Sequence, residues 1–500
     1  MTLNTLIIHG SGLSLEQLIE WVYSESIQVQ LDETGLRRMD QARELIDAAI
    51  DEGKSMYGLT TGLGAKVKHT LTRPEISEFT INMIRGRAHS MGHPLARNYV
   101  RAAMLIRLNT WLSGRTTASQ ALARYYVHCL NEDLIPVVGE FGSIGAGDLC
   151  WGASHALALL GEGQFLTAQG ATVDSDSILQ QKGIEPIQLQ GGEGMTLMNH
   201  GSLSTGIAAI GLGGAIDYMT VMNRCLSLSL EAFKANLSPM RIVLNEDLKK
   251  NGEVTFAETM MGLLQGSDLL EDGAARRLQD PISIRNIVQT HGALQGQIQA
   301  AKVVMDQALN AVTDNPQLDI ENKSVLSSGA YQTTDLTLSC DSVKTSLRHV
   351  CVLQVARISK FLDSRYSGLS DFLASDNATS NAFAPVMKLV ESLLAEVMAH
   401  SSPTPVWPSV NANGVEDGLT NTPQAAKSLN HCVELAMRLC VIEMMVACQA
   451  LEMREQPESI PNAVKELVQT IRESVKPFDG DRSLTGEMEA LFSQLFGNKV

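Results

Sequence analysis

The chain is 500 residues long, has only 15 prolines and 5% aromatic residues, and carries a formal net charge of −16 at pH 7. This acidic balance argues against a nucleic acid or a membrane as partner, because both bind basic surfaces. No secretory signal is recognisable, so a cytoplasmic location is expected. The eight cysteines include no Cys-x-x-Cys pair and lie mostly in apolar helical sequence, which indicates buried reduced thiols.

The first predicted elements are short. Residues 1–9 predict a strand, and Ser14-Leu15-Glu16-Gln17 has the pattern of a capping box that opens a helix. A second helix is predicted over 32–52, with Gly53 as its C-terminal cap. The loop Tyr57-Gly58-Leu59-Thr60-Thr61-Gly62-Leu63-Gly64 follows, and its glycines allow sharp turns or close approach to a ligand.

From about residue 75 the sequence predicts mainly long helices. Residues 201–216 carry no charge but fall short of the roughly 20 residues that a membrane span needs, so we interpret them as a helix deep in a bundle. Residues 385–400 have one apolar face, and residues 421–454 are apolar almost all round, which is typical of helices buried between others. No linker or internal repeat separates these segments.

The predicted fold class is therefore all-α, a long central helical bundle with a smaller N-terminal region. We place the N-terminal region at 1–200 and the long-helix bundle with the C-terminal helices at 201–500. The two are expected to form one continuous unit, and the boundary between them is approximate.

One run of sequence carries most of the information about function. Phe141-Gly142-Ser143-Ile144-Gly145-Ala146-Gly147-Asp148-Leu149 resembles the signature of the histidine and aromatic amino-acid ammonia-lyases. In that family Gly-Ala-Ser-Gly-Asp cyclises, and Ala-Ser-Gly becomes an electrophilic methylidene-imidazolone ring. Here the serine is missing, so the resemblance implies a degenerate cofactor site at Ala146, Gly147 and Asp148, and no cofactor is expected.

The resemblance extends from about residue 31 to 454, with further matches in the family's order. The Tyr57 loop is similar to the one with the family's catalytic tyrosine, and Glu193 to Asn199 to the segment with its active-site asparagine. Gln279 to Arg285 resembles the segment whose arginine holds the substrate carboxylate, and Val415-Glu416-Asp417 the one with its glutamate. The resemblance also implies an aspartase/fumarase-like helical fold and a homotetramer whose active sites combine several subunits.

The residue types suit an amine elimination, which needs a base for the β-proton, a clamp for the carboxylate and an amine able to leave. Arg285 offers a planar fork for a carboxylate. Tyr57 would act as the base if neighbouring cations or backbone donors lower its pKa. Asn199 would position the carboxylate or the amine.

Several positions depart from the family's pattern. Ile282 stands where the family has a second tyrosine, and Arg87 replaces a histidine that contacts the imidazole of the substrate. Tyr331 lies in Ala330-Tyr331-Gln332, after Gly329, where the family has Gly-Asn-Phe-His, and Lys388 interrupts an apolar helix. By resemblance, Arg87 and Tyr331 are assigned to substrate binding, with Arg285 and Asn199. Lys388 and Glu416 are assigned to catalysis, with Tyr57.

A quaternary ammonium leaves readily as a neutral amine and needs no electrophile. The chain therefore resembles the ergothionases, cofactor-free relatives of histidase that eliminate trimethylamine from ergothioneine, the betaine of 2-thiohistidine, to give thiourocanate. Lys388 and Glu416 would exchange a proton with the thioimidazole ring. The substrate is a small molecule, a betaine or an amino acid.

Alternatives stay open. Lys388 fits a surface lysine, and Arg87 fits an ion pair. The chain also fits a histidine or aromatic amino-acid ammonia-lyase whose cofactor forms at 145–148, a lyase acting on another betaine, or an inactive homologue. No metal site is predicted, because the eleven histidines form no cluster with ligand spacing.

Overall fold

The computed structural model describes residues 5–24, 26–54, 56, 60, 73–245, 251–375, 380–454 and 459–497. The protein is all-α with a few short strands, which confirms the predicted fold class. The helices of the described residues are α1 Leu15–Tyr23, α2 Glu33–Asp51, α3 Arg73–Arg85, α4 Arg97–Leu112, α5 Gln120–Asn131, α6 Leu149–Leu159, α7 Ser175–Lys182, α8 Glu193–Met198, α9 Ser202–Phe233, α10 Ser238–Asn245, α11 Asn251–Leu263, α12 Ile282–Arg285, α13 Ile287–Ala308, α14 Thr334–Phe361, α15 Ser364–Ser367, α16 Val386–His400, α17 Asn411–Gly414, α18 Thr422–Glu452, α19 Asn462–Ser474 and α20 Thr485–Phe496.

In the part of the chain that the structure describes, single 3₁₀ turns lie at Asp268–Leu270 and Asp371–Leu373. The short strands are β1 Thr5–Ile8, β2 Gln28–Leu31, β3 Met91–Pro94, β4 Ile135–Pro136, β5 Gly139–Phe141, β6 Gln164–Leu166, β7 Thr172–Asp174, β8 Gln317–Asp319 and β9 Ser324–Leu326. They form a parallel pair β1–β2, antiparallel pairs β3–β5 and β8–β9, and a three-stranded antiparallel sheet in the order β4–β6–β7.

The chain divides into two compact units. The first consists of Met1–Gly213, Lys302–Leu338 and Thr404–Lys427, and the second of Gly214–Ala301, Ser339–Pro403 and Ser428–Val500. The first unit includes the residues 1–200 assigned above to the N-terminal region, together with two later segments. The single continuous unit with a boundary near residue 200 stays a prediction.

Local sequence rules place the first elements of the chain. The capping box is confirmed, because Gln17 N donates to Ser14 Oγ at 3.3 Å and Ser14 N donates to Gln17 Oε1 at 3.1 Å. Helix α2 ends at Asp51, and Gly53 follows with a φ of +65°, a conformation that glycine adopts without strain.

The core of the first unit is built around α4, whose residues from Val100 to Leu112 are all buried. Helix α4 also carries a buried cation, Arg107, whose guanidinium donates to both carboxylate oxygens of Asp314 at 2.9 Å. The same guanidinium donates to the carbonyl of Thr196 at 2.7 Å. An unpaired buried charge is very unfavourable, so this network fixes the segments that meet at Asp314.

The second unit has a buried ion pair of its own. Arg357 Nε donates to Glu443 Oε1 at 2.7 Å, and both side chains are at most 1% exposed. Ser229 Oγ donates to the same carboxylate oxygen at 2.9 Å. Glu443 is a charged residue within the otherwise apolar sequence of α18. Its ion pair with Arg357 accounts for a carboxylate at this buried position.

The uncharged run from residue 201 is helical, as predicted. The stretch Glu193–Phe233 is long and apolar enough to span a membrane by length and composition, but 72% of its most apolar window is buried inside the protein. Burial by protein is the environment expected for a core helix.

Helix α16 is confirmed, but little of its apolar face is covered within the chain. Val390 and Val397 are buried, whereas Leu389 is 38% and Met398 is 48% exposed. All eight cysteines are free, seven of them buried and Cys150 half-buried, in agreement with the prediction of reduced thiols.

Candidate active site

A cavity of about 570 Å³ lies within the first unit. Five of the residues selected from the sequence reach its walls: Arg87, Ala146, Asn199, Tyr331 and Glu416. The remaining lining residues are Leu149, Met195, Asn315, Ser327, Gln332, Ala412, Asn413, Val415, Asp417 and Gly418. Residues far apart in the chain therefore meet at one concave site, which is the usual form of a small-molecule site.

The degenerate cofactor run forms a tight loop at this cavity. Gly145 and Gly147 have φ values of +75° and +80°, and Asp148 has a φ of +45°. The loop is held from the segment before α18, because Thr420 Oγ1 donates to the carbonyl of Gly145 and Asn421 N donates to the carbonyl of Ile144, both at 2.9 Å. The loop thus keeps a defined shape although the family's serine is absent.

The carboxylate of Asp148 anchors the loop through hydrogen bonds to two serines. Its carboxylate accepts hydrogen bonds from Ser143 Oγ at 2.5 Å, Ser204 Oγ at 2.7 Å and Ser204 N at 2.9 Å. Complete burial raises the pKa of Asp148, and these donors act in the opposite direction. The Asp148 carboxylate therefore holds the loop, and it is not among the residues that line the cavity.

The residues at this loop do not fit the family's ring. The ring forms from an Ala-Ser-Gly tripeptide, and the loop offers Ala146 followed directly by Gly147. The nearest serine is Ser143, which is followed by Ile144 and whose hydroxyl is bound to Asp148. Neither Ala146 nor Gly147 carries the hydroxyl from which the ring's methylidene would arise.

Asn199 lies beside this loop at the end of α8. Its Nδ2 donates to the carbonyl of Asn315 at 3.1 Å, and its side chain is largely buried. Asn315 follows Asp314, the carboxylate paired with Arg107, so the buried ion pair positions the carbonyl that orients Asn199.

Arg87 and Glu416 place opposite charges at the cavity. Arg87 is half-buried at the end of α3, and its Nη1 donates to the carbonyl of Met83 at 3.4 Å. Glu416 is half-buried after α17, and its backbone N donates to the carbonyl of Asn411 at 3.2 Å. Burial raises the pKa of the neighbouring Cys150 thiol; the Arg87 charge lowers it and the Glu416 charge raises it further. Both charges therefore act on the same small region.

The segment with Tyr331 forms another wall. Gln332 pairs with Ala146 as an isolated antiparallel bridge, and Gln332 Nε2 donates to the carbonyl of Gly418 at 3.5 Å. Thr333 and Thr422 share a hydrogen bond of 2.9 Å behind this wall. In the sequence, Gln332 was noted only as part of a segment that departs from the family's pattern, yet both Gln332 and Gly418 line the cavity.

Arg285 and Lys388 belong to the second unit. Arg285 ends α12, and its Nη1 donates to Gln279 Oε1 at 2.8 Å on the wall of a smaller pocket of about 240 Å³. Lys388 lies in the first turn of α16 and is exposed. Within the described residues, neither side chain lines the larger cavity of the first unit.

Tyr57 lies outside the described residues. On either side of it, Met56 is buried against the Ile46 and Leu318 side chains, and Thr60 Oγ1 donates to the carbonyl of Lys54 at 2.6 Å. The backbone N of Met56 donates to Thr60 Oγ1 at 2.8 Å. The two described ends of the loop are thus tied to each other and to α2.

A helical fold with a polar, charged cavity built on a degenerate cofactor loop defines a carbon–nitrogen lyase of the ammonia-lyase type. The model of the aromatic amino acid lyase family matches residues 13–473, and the chain belongs to this family.

Relatives and solved structures agree with this assignment. Histidine ammonia-lyase of Treponema denticola is 27% identical over 494 residues, which cover 98% of this chain and 97% of that protein. The histidine ammonia-lyase of Streptococcus gordonii is 28% identical over 480 residues, which cover 95% and 93%.

Among solved structures, ergothionase from Treponema denticola, an ergothioneine-degrading enzyme in complex with desmethyl-ergothioneine sulfonic acid, superposes with a TM-score of 0.91 at 25% identity. It covers 98% of both chains. Histidine ammonia-lyase from Trypanosoma cruzi has the same TM-score at 22% identity, covering 98% of this chain and 93% of that one, which shows the shared fold.

Proposed function

We propose that the protein eliminates trimethylamine from ergothioneine to give thiourocanate, without a methylidene-imidazolone group. The observation that carries this proposal is the loop Gly145-Ala146-Gly147-Asp148, which lacks the serine but still presents Ala146 beside Asn199 at a polar cavity. The similarity to the solved ergothionase supports it. A cytoplasmic location is part of the proposal.

The leaving group accounts for the missing serine. An ammonium group of an amino acid is a poor leaving group, and the family's electrophile exists to improve it. A trimethylammonium group leaves as neutral trimethylamine and takes the electron pair of the Cα–N bond with it. The base takes the β-proton, and the electron pair of the Cβ–H bond becomes the Cα=Cβ double bond of the product.

Each residue selected from the sequence, whether it matches the family's pattern or departs from it, has a role in this reaction. Tyr57 removes the β-proton, and Arg285 and Asn199 hold the carboxylate. Glu416 and Lys388 act on the thioimidazole ring, where hydrogen bonding or proton donation acidifies the adjacent Cβ–H. Arg87 and Tyr331 contact the ring or its sulfur.

The assembly belongs to the same proposal. Arg285 and Lys388 lie in the second unit, whereas Arg87, Asn199 and Glu416 lie at the cavity of the first. We propose a homotetramer in which these residues come together from more than one subunit. The exposed apolar residues Leu389 and Met398 on α16 support an assembly that covers this helix.

The second candidate is a histidine ammonia-lyase. Two relatives that are 27% and 28% identical to this chain are named histidine ammonia-lyase, which favours this candidate. It requires an electrophile at 145–148, although the loop has no serine between Ala146 and Gly147.

The deciding experiment is an elimination assay on purified protein with ergothioneine and histidine side by side. Trimethylamine, ammonia and the conjugated acrylate product are followed, and the intact mass is measured on the same sample. Trimethylamine and thiourocanate from ergothioneine, with histidine inert, are expected. Ammonia from histidine would refute the proposal and favour the second candidate. No reaction with either compound would move the proposal to another betaine or to an inactive homologue.

A further inference from the structure

The second unit contains a cluster of three side chains with metal-ligand chemistry. Glu396 and His400 lie on α16, and His431 lies on α18. The Glu396 carboxylate is 3.7 Å from Nε2 of His400 and 4.0 Å from Nε2 of His431. One ligand atom from each of the three residues lies within 4.8 Å of the others. None of these residues belongs to the cavity described above.

The arrangement follows from helical geometry. Glu396 and His400 are four residues apart, so their side chains lie on the same face of α16, one turn apart. His431 reaches them from a different helix, and the two imidazole rings meet edge to face with centroids 4.4 Å apart at 78°. The site therefore connects two helices of the second unit.

Two imidazoles and one carboxylate are a ligand set that zinc takes, with water in the fourth position. We propose that Glu396, His400 and His431 bind one zinc ion, which joins α16 to α18. A tetrahedral site with bonds of about 2.1 Å has ligand atoms roughly 3.4 Å apart, so the three side chains must move inward by less than about 1 Å. Within a single chain the three side chains are between 41% and 58% exposed.

The surroundings suit a metal ligand. Glu434, the carboxylate three residues after His431, is already paired with Arg438 at 2.9 Å. Glu396 is therefore the carboxylate available to the two imidazoles.

To test the proposal, the full-length, tag-free protein is first treated with a chelator. It is then titrated with zinc, and binding is measured by isothermal titration calorimetry. Wild-type protein is expected to bind one zinc per chain, and magnesium, which prefers oxygen ligands, is expected not to compete. His431→Asn and Glu396→Gln are each expected to weaken zinc binding at least tenfold. His349→Asn removes an exposed histidine of α14 outside the cluster and is expected to bind zinc like the wild type.

Circular dichroism of each variant checks that it is folded. X-ray absorption of the zinc-loaded wild type gives a readout that depends on no variant, and two imidazole nitrogens at about 2.0 Å are expected. Zinc should also raise the melting temperature of the wild type and not that of the two cluster variants. The proposal is overturned by unsaturable or absent zinc binding, by wild-type affinity in either cluster variant, or by a zinc environment without two imidazoles.

Discussion

Gly147 and Asn199 approach so closely that a Cβ atom on Gly147 would lie 2.4 Å from Asn199 Oδ1. The glycine is also needed for its backbone, which has a φ of +80°. The loop that lost the family's serine is thus fitted against a residue of the cavity wall.

Gly147→Ala should therefore lower turnover of ergothioneine by at least about tenfold, because the methyl group displaces the Asn199 amide, which is proposed to hold the substrate carboxylate. The positive φ adds a cost of about 1 kcal/mol to folding. Gly170→Ala is the matched control, since Gly170 has a φ of +79° and nothing within 4 Å of an added Cβ. Equal activities of the two variants would mean that the contact with Asn199 does not matter. Steady-state kinetics and urea unfolding measure the two effects.

Glu416→Gln should reduce kcat by about 10² to 10⁴-fold, because the amide cannot exchange a proton with the substrate ring. The change keeps the shape of a half-buried side chain, so the melting temperature is expected to stay near that of the wild type. Glu185→Gln, an exposed carboxylate outside the cavity, serves as the control. A Glu416→Gln enzyme with normal kcat would remove this residue from the chemistry.

Lys388→Met should cost orders of magnitude in turnover while the fold stays intact. Lys388 is exposed on α16, so methionine removes the charge and keeps most of the length of the side chain. Lys465→Met, on α19, tests whether the loss of an exposed helical lysine has any effect by itself. Rates within twofold of the wild type would show that Lys388 is a surface lysine. Circular dichroism and turnover are the measurements.

Glu231 should make stability depend on pH. Burial raises its pKa from 4.5 to about 7, and the hydrogen bond from the Ser267 hydroxyl lowers it only in part. Between these values the folded state keeps a proton that the unfolded state has lost, so the free energy of unfolding falls as pH rises from about 4.5 to about 7. The full effect is about 3 kcal/mol.

Glu231→Gln should abolish this part of the pH dependence of the free energy of unfolding. The stability of the variant relative to the wild type should therefore be higher at pH 8 than at pH 4. Urea unfolding at several pH values measures this, with Glu185→Gln as a control for an exposed carboxylate. Parallel pH profiles for the Glu231 variant and the wild type would contradict the expectation.

Local rules predicted most of the fold. The capping box at Ser14 and the start of α18 before Pro423 depend on a few neighbouring residues, and the structure has both. The periodicity of residues 385–400 predicted helix α16. It did not predict which residues cover the apolar face of this helix, because such a face indicates burial but not the partner. Leu389 and Met398 on this face are exposed within the single chain.

The site was predicted less completely. Motif resemblance selected Arg87, Asn199 and Glu416, and the fold brings them to one cavity. The resemblance gave no sign that Arg285 and Lys388 belong to a separate unit, because the order of motifs along the chain does not determine the distances between them in the fold. The same limit hid the Glu396, His400 and His431 cluster, because the third ligand lies 31 residues after the second on another helix.

The loop at Gly145 to Asp148 also affects how the newly synthesised protein becomes active. A member of this family that builds its electrophile must fold first and then cyclise its own backbone before the first turnover. If this chain works without the electrophile, as proposed, it needs no such maturation, and its activity should rise in step with folding and assembly. On the same proposal the chain has no Michael acceptor at this loop, so treatment with borohydride or cyanide should leave its activity unchanged.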